Sequence, residues 1–134
     1  MSKMTVYKSH GTVERVSRQE GKNKGLRMSV RLIYVTCENR SDALKTAKSV
    51  VSDRLAACAN IFGDITSVYW WNGEIQEGQE VVLILKTHAD LVDKLTAAIK
   101  ELHSYECPCV VAMPIDGGNN AFLDWIADET QNEI

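Results

Sequence analysis

From Ser29 onward the apolar positions of the chain follow two distinct periods. "SVRLIYVT" (Ser29 to Thr36) is dense in β-branched and aromatic residues and predicts a first strand. Ser41 or Asp42 is then placed to cap a helix, whose apolar positions Leu44, Ala47, Val51, Leu55 and Cys58 recur at spacings of three and four. "NIFGDITSVYWW" (Asn60 to Trp71) reads as an extended run with a bend or bulge at Gly63-Asp64. "EIQEGQEVVLILKT" (Glu74 to Thr87) is a third strand, with Gly78 as a candidate bulge. Asp90 is positioned to cap a second helix with Leu91, Leu95, Ala98, Ile99 and Leu102 along one side. "CVVAMPI" (Cys109 to Ile115) predicts a last strand, and "NNAFLDWIADET" predicts a short terminal helix.

The second and third extended runs meet at Asn72-Gly73, a strong signal for a two-residue hairpin turn. Immediately before it stand Trp70 and Trp71. Neighbouring residues of a strand point to opposite faces, so one indole is expected against the chain's own core and the other against a second chain.

The element order is β-α-β-β-α-β followed by a helix. This predicts an α+β, ferredoxin-like antiparallel sheet with two helices on one face, a long β2–β3 hairpin and a short C-terminal helix. The second face of the sheet then lacks a cover within the chain, which predicts contact between subunits.

Composition narrows the class. The chain has 134 residues, 45% of them hydrophobic and 25% charged, and a net charge of −3. Residues 1–27 carry seven Lys/Arg against two Glu, whereas residues 28–134 carry eight basic and sixteen acidic side chains. The acidic body argues against nucleic acid as a partner. No apolar run reaches the roughly 18 residues of a membrane span, so no membrane partner is expected. Residues 1–27 read as a basic extension, either flexible or a leader, and residues 28–134 as the folded domain. A transit peptide is the other reading of the extension. Four scattered cysteines do not make a disulfide scaffold, so a cytoplasmic setting is expected, or an organelle if the extension is a transit peptide.

"YVTC", "LAAC", "YWW-x-G", "LKT" and "HSYECPC", in this order and spacing, resemble the CutA family of divalent-cation tolerance proteins from about Val30 to Trp125. The resemblance implies a ferredoxin-like subunit assembled as a homotrimer. It also implies a role in tolerance of copper and other divalent metal ions, with no obligatory cofactor. Two positions depart from the family's "HPYE-x-PE" box: Ser104 replaces a proline and Cys109 a glutamate. Some bacterial members resemble copper binders through a cysteine late in the first strand and paired histidines. The matching positions here hold Val35 and Leu102 with His103.

The candidate metal ligands are His103, Glu106, Cys107 and Cys109, since imidazole and thiolate suit copper or other soft ions. Each also has a plain structural reading: the histidine as a helix-end hydrogen-bonding group, the cysteines as small packing residues. Cys37 and Cys58 are expected in or near the core. Tyr69, Trp71, Glu80, Lys86 and Tyr105 are the family-implied lining of a cleft between subunits, where a small ligand or interface ion pairs would sit. No nucleophile elbow, H-E-x-x-H or phosphate-binding loop occurs, so an enzyme is not expected. Two other functions fit the resemblance: a regulatory trimer similar to the PII proteins, and a protein-assembly factor.

Overall fold

The computed structural model describes residues 25–27 and 29–130. Four strands form one antiparallel sheet: β1 (Val30–Cys37), β2 (Cys58–Trp71), β3 (Glu74–His88) and β4 (Val110–Pro114), in the order β2-β3-β1-β4. Helix α1 (Arg40–Ser52) follows β1, helix α2 (Val92–Leu102) follows β3, and helix α3 (Asn120–Thr130) ends the described chain. Element order, strand order and pairing all match the ferredoxin-like expectation.

The core is set by the central pair. Ile33, Val35 and Cys37 of β1 lie across from Leu85, Leu83 and Val81 of β3. On that face they pack with Ala43, Ala47 and Val50 of α1 and Leu95 and Ile99 of α2. The alternate residues of the same strands face the other way. There Val82 and Thr36 are buried, while Phe62, Val111 and Met113 stay exposed. This second face is not wholly bare, as parity alone suggests. Leu123 and Ile126 of α3 pack against Val30 at one end of it, which also buries Ala57, Ile115, Phe122 and Trp125 in part.

Several boundaries move from their predicted places for identifiable reasons. The N-cap of α1 is Asn39, whose side chain accepts the Asp42 N–H at 2.8 Å, rather than Ser41 or Asp42. The buried stripe of α1 is accordingly Ala43, Thr46, Ala47 and Val50, and Leu44 is 44% exposed. Cys58 opens β2 instead of closing the helix stripe. The helix stops at Ser52, and Arg54 takes a left-handed φ of 60°. Its guanidinium donates to the Glu129 carbonyl at 2.9 Å and to Glu129 Oε1 at 3.0 Å, capping the end of α3. Asp90 does not cap α2. It lies in a short 3-10 turn, Ala89–Leu91, that precedes the helix. Gly78 pairs with Ser67 in unbroken register, and the irregularity falls between Phe62 and Ile65, at Gly63-Asp64.

Residues 25–27 form a helical turn tied to the domain: Arg27 Nε donates to Asp124 Oδ1 at 2.8 Å, and the Ser29 N–H donates to Leu26 O at 3.0 Å. The remaining residues of the basic extension, 1–24, lie outside the described residues, as does Met28.

The shifted stripe of α1 has a direct test. Val50→Ala is expected to cost about 2 kcal/mol, from lost burial and a residual cavity. Leu44→Ala is expected to stay within about 0.5 kcal/mol, as for an exposed position. Urea unfolding midpoints of the two variants check this; equal losses contradict the assigned face.

Candidate functional site

Strand β1 pairs with β3 only as far as Cys37↔Val81, whereas β2 and β3 continue to Trp71↔Glu74. The seven pairs from Ile65↔Glu80 outward therefore form a two-stranded ribbon, about 20 Å long at the usual strand rise. The ribbon closes on Asn72 and Gly73, with φ values of 52° and 79°, the two positive values of a tight hairpin turn. Register puts Ile65, Ser67, Tyr69 and Trp71 on one ribbon face with Gln76, Gly78 and Glu80. Thr66, Val68 and Trp70 share the other with Ile75, Glu77 and Gln79.

Neither tryptophan is covered by its own chain: Trp70 is 71% exposed and Trp71 54%. The expectation that one of them packs within the subunit fails because, among the described residues, no helix lies over the ribbon beyond the end of β1. Val68 and Ile75 are exposed beside Trp70, and Tyr69 beside Trp71.

A polar cluster sits where the ribbon leaves the sheet. Helix α2 ends at Leu102 and the chain turns extended at His103, whose N–H still donates to Ile99 O at 2.9 Å. The His103 ring holds both neighbours in place. Its Nε2 lies 2.7 Å from the Thr36 carbonyl, which can only accept, so Nε2 carries the proton. Its Nδ1 accepts the Tyr105 N–H at 3.0 Å. The imidazole is thus fixed as one neutral tautomer with both nitrogens engaged.

Tyr105 lies against that ring with centroids 4.6 Å apart, and its hydroxyl donates to Glu80 Oε2 at 2.8 Å. Ser67 Oγ donates to the other carboxylate oxygen, Glu80 Oε1, at 2.5 Å. Ser104 Oγ donates to Glu38 Oε1 at 3.1 Å, so the serine in the proline's place ties the loop to the end of β1. Burial, the hydrogen bond to Glu80, and the charges of Glu80 and Glu38 hold the Tyr105 phenol well above its ordinary value, with Tyr69 adding to the effect. It remains a donor across the whole physiological range. The same acidic surroundings act on Cys37. Burial first, then the charges of Asp42 and Glu80, push its thiol up to about 11.

Of the residues predicted to line a cleft, one chain brings Tyr69, Glu80 and Tyr105 together. It separates them from Lys86, which lies about 20 Å along β3 from Glu80 and donates to Asn60. Trp71 stands near the ribbon tip, paired with Glu74. Ser67, Glu38 and Ser104 belong to the cluster and are absent from the sequence-based set. The signal for Ser67 was present, since it alternates with Tyr69 and Trp71 on one strand face.

The predicted metal ligands divide differently. Glu106, Cys107 and Cys109 are exposed, and none of the four cysteines forms a disulfide. His103 is partly buried with no unused lone pair. Among the described residues no group of three or more His, Cys, Asp or Glu is arranged to hold a metal ion. No helix of the described residues is long and apolar enough to cross a membrane.

Thiol reactivity should follow these placements. At pH 8 Cys37 is protonated and buried, so brief iodoacetamide treatment is expected to label Cys107 and Cys109 and leave Cys37 unmodified. Peptide mass spectrometry checks this, and rapid labelling of Cys37 in the native protein contradicts its assigned position. Tyr105→Phe removes one hydroxyl from Glu80 and is expected to cost about 1–3 kcal/mol in unfolding experiments.

Comparison with known proteins gives a consistent picture. The CutA1 divalent ion tolerance protein family matches residues 31–129. The chain is 44% identical over 100 residues to "Protein CutA 1, chloroplastic" of Oryza sativa subsp. japonica, covering 75% of this chain. It spans little more than half of that rice protein, 56%. It is 41% identical over 99 residues to the divalent-cation tolerance protein CutA of Thermus thermophilus, covering 74% of this chain and 96% of the relative. The solved Thermus thermophilus structure superposes with a TM-score of 0.75 at 40% identity, over 76% of this chain and 99% of that one.

Proposed function

The chain belongs to the CutA1 divalent ion tolerance family, and on that premise we propose that it is a non-enzymatic, homotrimeric tolerance protein that binds copper or other divalent metal ions weakly. The observation that carries the assembly is the ribbon. Five large apolar or aromatic residues, Val68, Tyr69, Trp70, Trp71 and Ile75, are exposed on one short hairpin, with Phe62, Val111 and Met113 exposed on the sheet. A monomer would leave this surface in water at a cost on the order of 25 cal/mol per Å². A neighbouring copy accepting the ribbon on its own sheet face removes both exposures at once, and cyclic repetition closes the ring.

The metal-binding part rests on the acidic charge of residues 28–134 and on the 103–109 loop. Glu106, Cys107 and Cys109 present exposed donors there. His103 joins them only by giving up the Thr36 carbonyl or the Tyr105 N–H. No resident cofactor is required, and neither nucleic acid nor membrane is a partner in this reading. The compartment is cytoplasmic, or organellar if residues 1–27 act as a transit peptide. The rice and Arabidopsis relatives are both named chloroplastic.

A second reading, a regulatory trimer with a small ligand between subunits, is favoured by one feature. Glu80 gathers the Ser67 and Tyr105 hydroxyls on the ribbon, beside Tyr69. In a trimer this cluster faces the junction with a neighbour, where Trp71 and Lys86 of the assembled ring would complete a cleft.

Two measurements test the proposal. Light scattering is expected to give a trimer mass, and Trp70→Ala or Trp71→Ala is expected to shift it toward monomer at low concentration. A monomeric wild-type protein overturns the assembly. Calorimetric titration with Cu(II) and Zn(II) is expected to give heat that is reduced in the Glu106→Gln, Cys107→Ser, Cys109→Ser variant. Equal heat from both proteins removes the loop from the metal site.

A further inference from the structure

We infer that the acidic face of α3 is a docking surface for the chain's own basic N-terminal segment, with Lys22 and Lys24 seated against Asp128. The contact is one of charge within a single chain, and neither metal binding nor the trimer enters it.

The first turn of that interface is already formed. Residues 25–27 make a helical turn in which Leu26 is half-buried. Arg27 grips one carboxylate with a fork: its Nε donates to Asp124 Oδ1 at 2.8 Å and its Nη2 to Oδ2 at 3.4 Å. Only 14% of the Arg27 side chain and 29% of the Asp124 side chain remain exposed. The chain therefore enters the domain across α3, and whatever precedes Gly25 is tethered beside that helix.

Helix α3 carries Asp124, Asp128 and Glu129 and no lysine or arginine. Arg27 neutralises Asp124, and Arg54 neutralises Glu129. Asp128 is exposed one turn beyond Asp124, on the same side of the helix, and has no cationic partner among the described residues. Partial burial first, then the charges of Asp124 and Glu129, raise its carboxyl above the ordinary value. A cation placed beside Asp128 relieves that repulsion.

The chain supplies that cation close at hand. Residues 1–24 carry six Lys/Arg against two Glu, the reverse of the acidic excess in residues 28–134. Lys24 and Lys22 stand three and five residues before Arg27. Three residues of chain reach up to about 10 Å, and helix positions one turn apart lie roughly 6 Å from each other, so either ammonium can reach Asp128. The pairing of Arg27 with Asp124 is thus repeated one turn along by a lysine, a point charge that needs no fixed geometry. Because the new pairs lie at the surface, salt screens them and opens the contact.

The test is an NMR titration of the Asp128 carboxyl in the full chain, labelled with carbon-13 at its aspartates, beside the Lys22→Gln, Lys24→Gln variant. At low salt Asp128 is expected to bind its proton roughly threefold more weakly in the wild type than in the variant, the size of effect a surface ion pair supplies. The difference is expected to vanish in about 0.5 M NaCl, where screening is strong. Matching melting curves of the two proteins show that the domain is intact in both. Equal proton affinity of Asp128 in the two proteins at low salt overturns the docking. Carbodiimide coupling of co-assembled nitrogen-15-labelled and unlabelled chains then identifies the occupant. Lys22 or Lys24 is expected to couple to Asp128 of its own chain. Links found only between labelled and unlabelled chains give the surface to a second copy and overturn the intrachain contact.

Discussion

The feature on which the rest of this structure depends is a mismatch in strand length. β1 has 8 residues, while the two strands of the hairpin have 14 and 15. Where the three run together, side chains alternate between a helix-covered core and a second face. Where β1 stops, β2 and β3 lose their third strand and their cover together. The ribbon then carries aromatic residues that the described residues leave largely exposed.

The same ending organises the polar cluster. A strand that terminates leaves a carbonyl for another group to satisfy, and His103 satisfies that of Thr36. By doing so it anchors the turn after α2, which brings Tyr105 to Glu80 just beyond the last β1–β3 pair. The histidine therefore works as a bracket between helix α2 and β1. Its two hydrogen bonds engage both ring nitrogens, so a residue type common in metal sites here serves the backbone. The Cys107 and Cys109 thiols further along the loop are exposed.

Charge links the family role to the molecule. The acidic excess of residues 28–134 attracts cations in general, and in the proposed reading the donors of the 103–109 loop decide which cations stay. Ser104 and Cys109, the two departures from the family's usual box, both act in that loop. Ser104 recovers in a hydrogen bond to Glu38 the restraint that a proline ring would supply through its backbone. Cys109 places an exposed thiol where the family's box has a carboxylate.

The sequence by itself determined the architecture: the period-two runs, the Asn72-Gly73 turn and the order of elements fixed a four-stranded sheet with its hairpin. The family resemblance singled out Tyr69, Glu80 and Tyr105 along with Trp71 and Lys86, and the fold brings the first three together. What the sequence could not decide were matters of phase and reach. A stripe of α1 built on Leu44 and one built on Ala43 and Val50 fit the same spacing, and only the cap at Asn39 chose between them. Likewise, alternation placed Trp70 and Trp71 on opposite faces but could not say that both faces are empty at that point. That depended on where β1 ends relative to β3, a register between strands about fifty residues apart. Tertiary structure also decided the state of His103, since a ring's lone pairs are spent on whichever backbone groups the fold brings to it. Local pattern sets what a residue can do; the packing of distant segments sets what it is left to do.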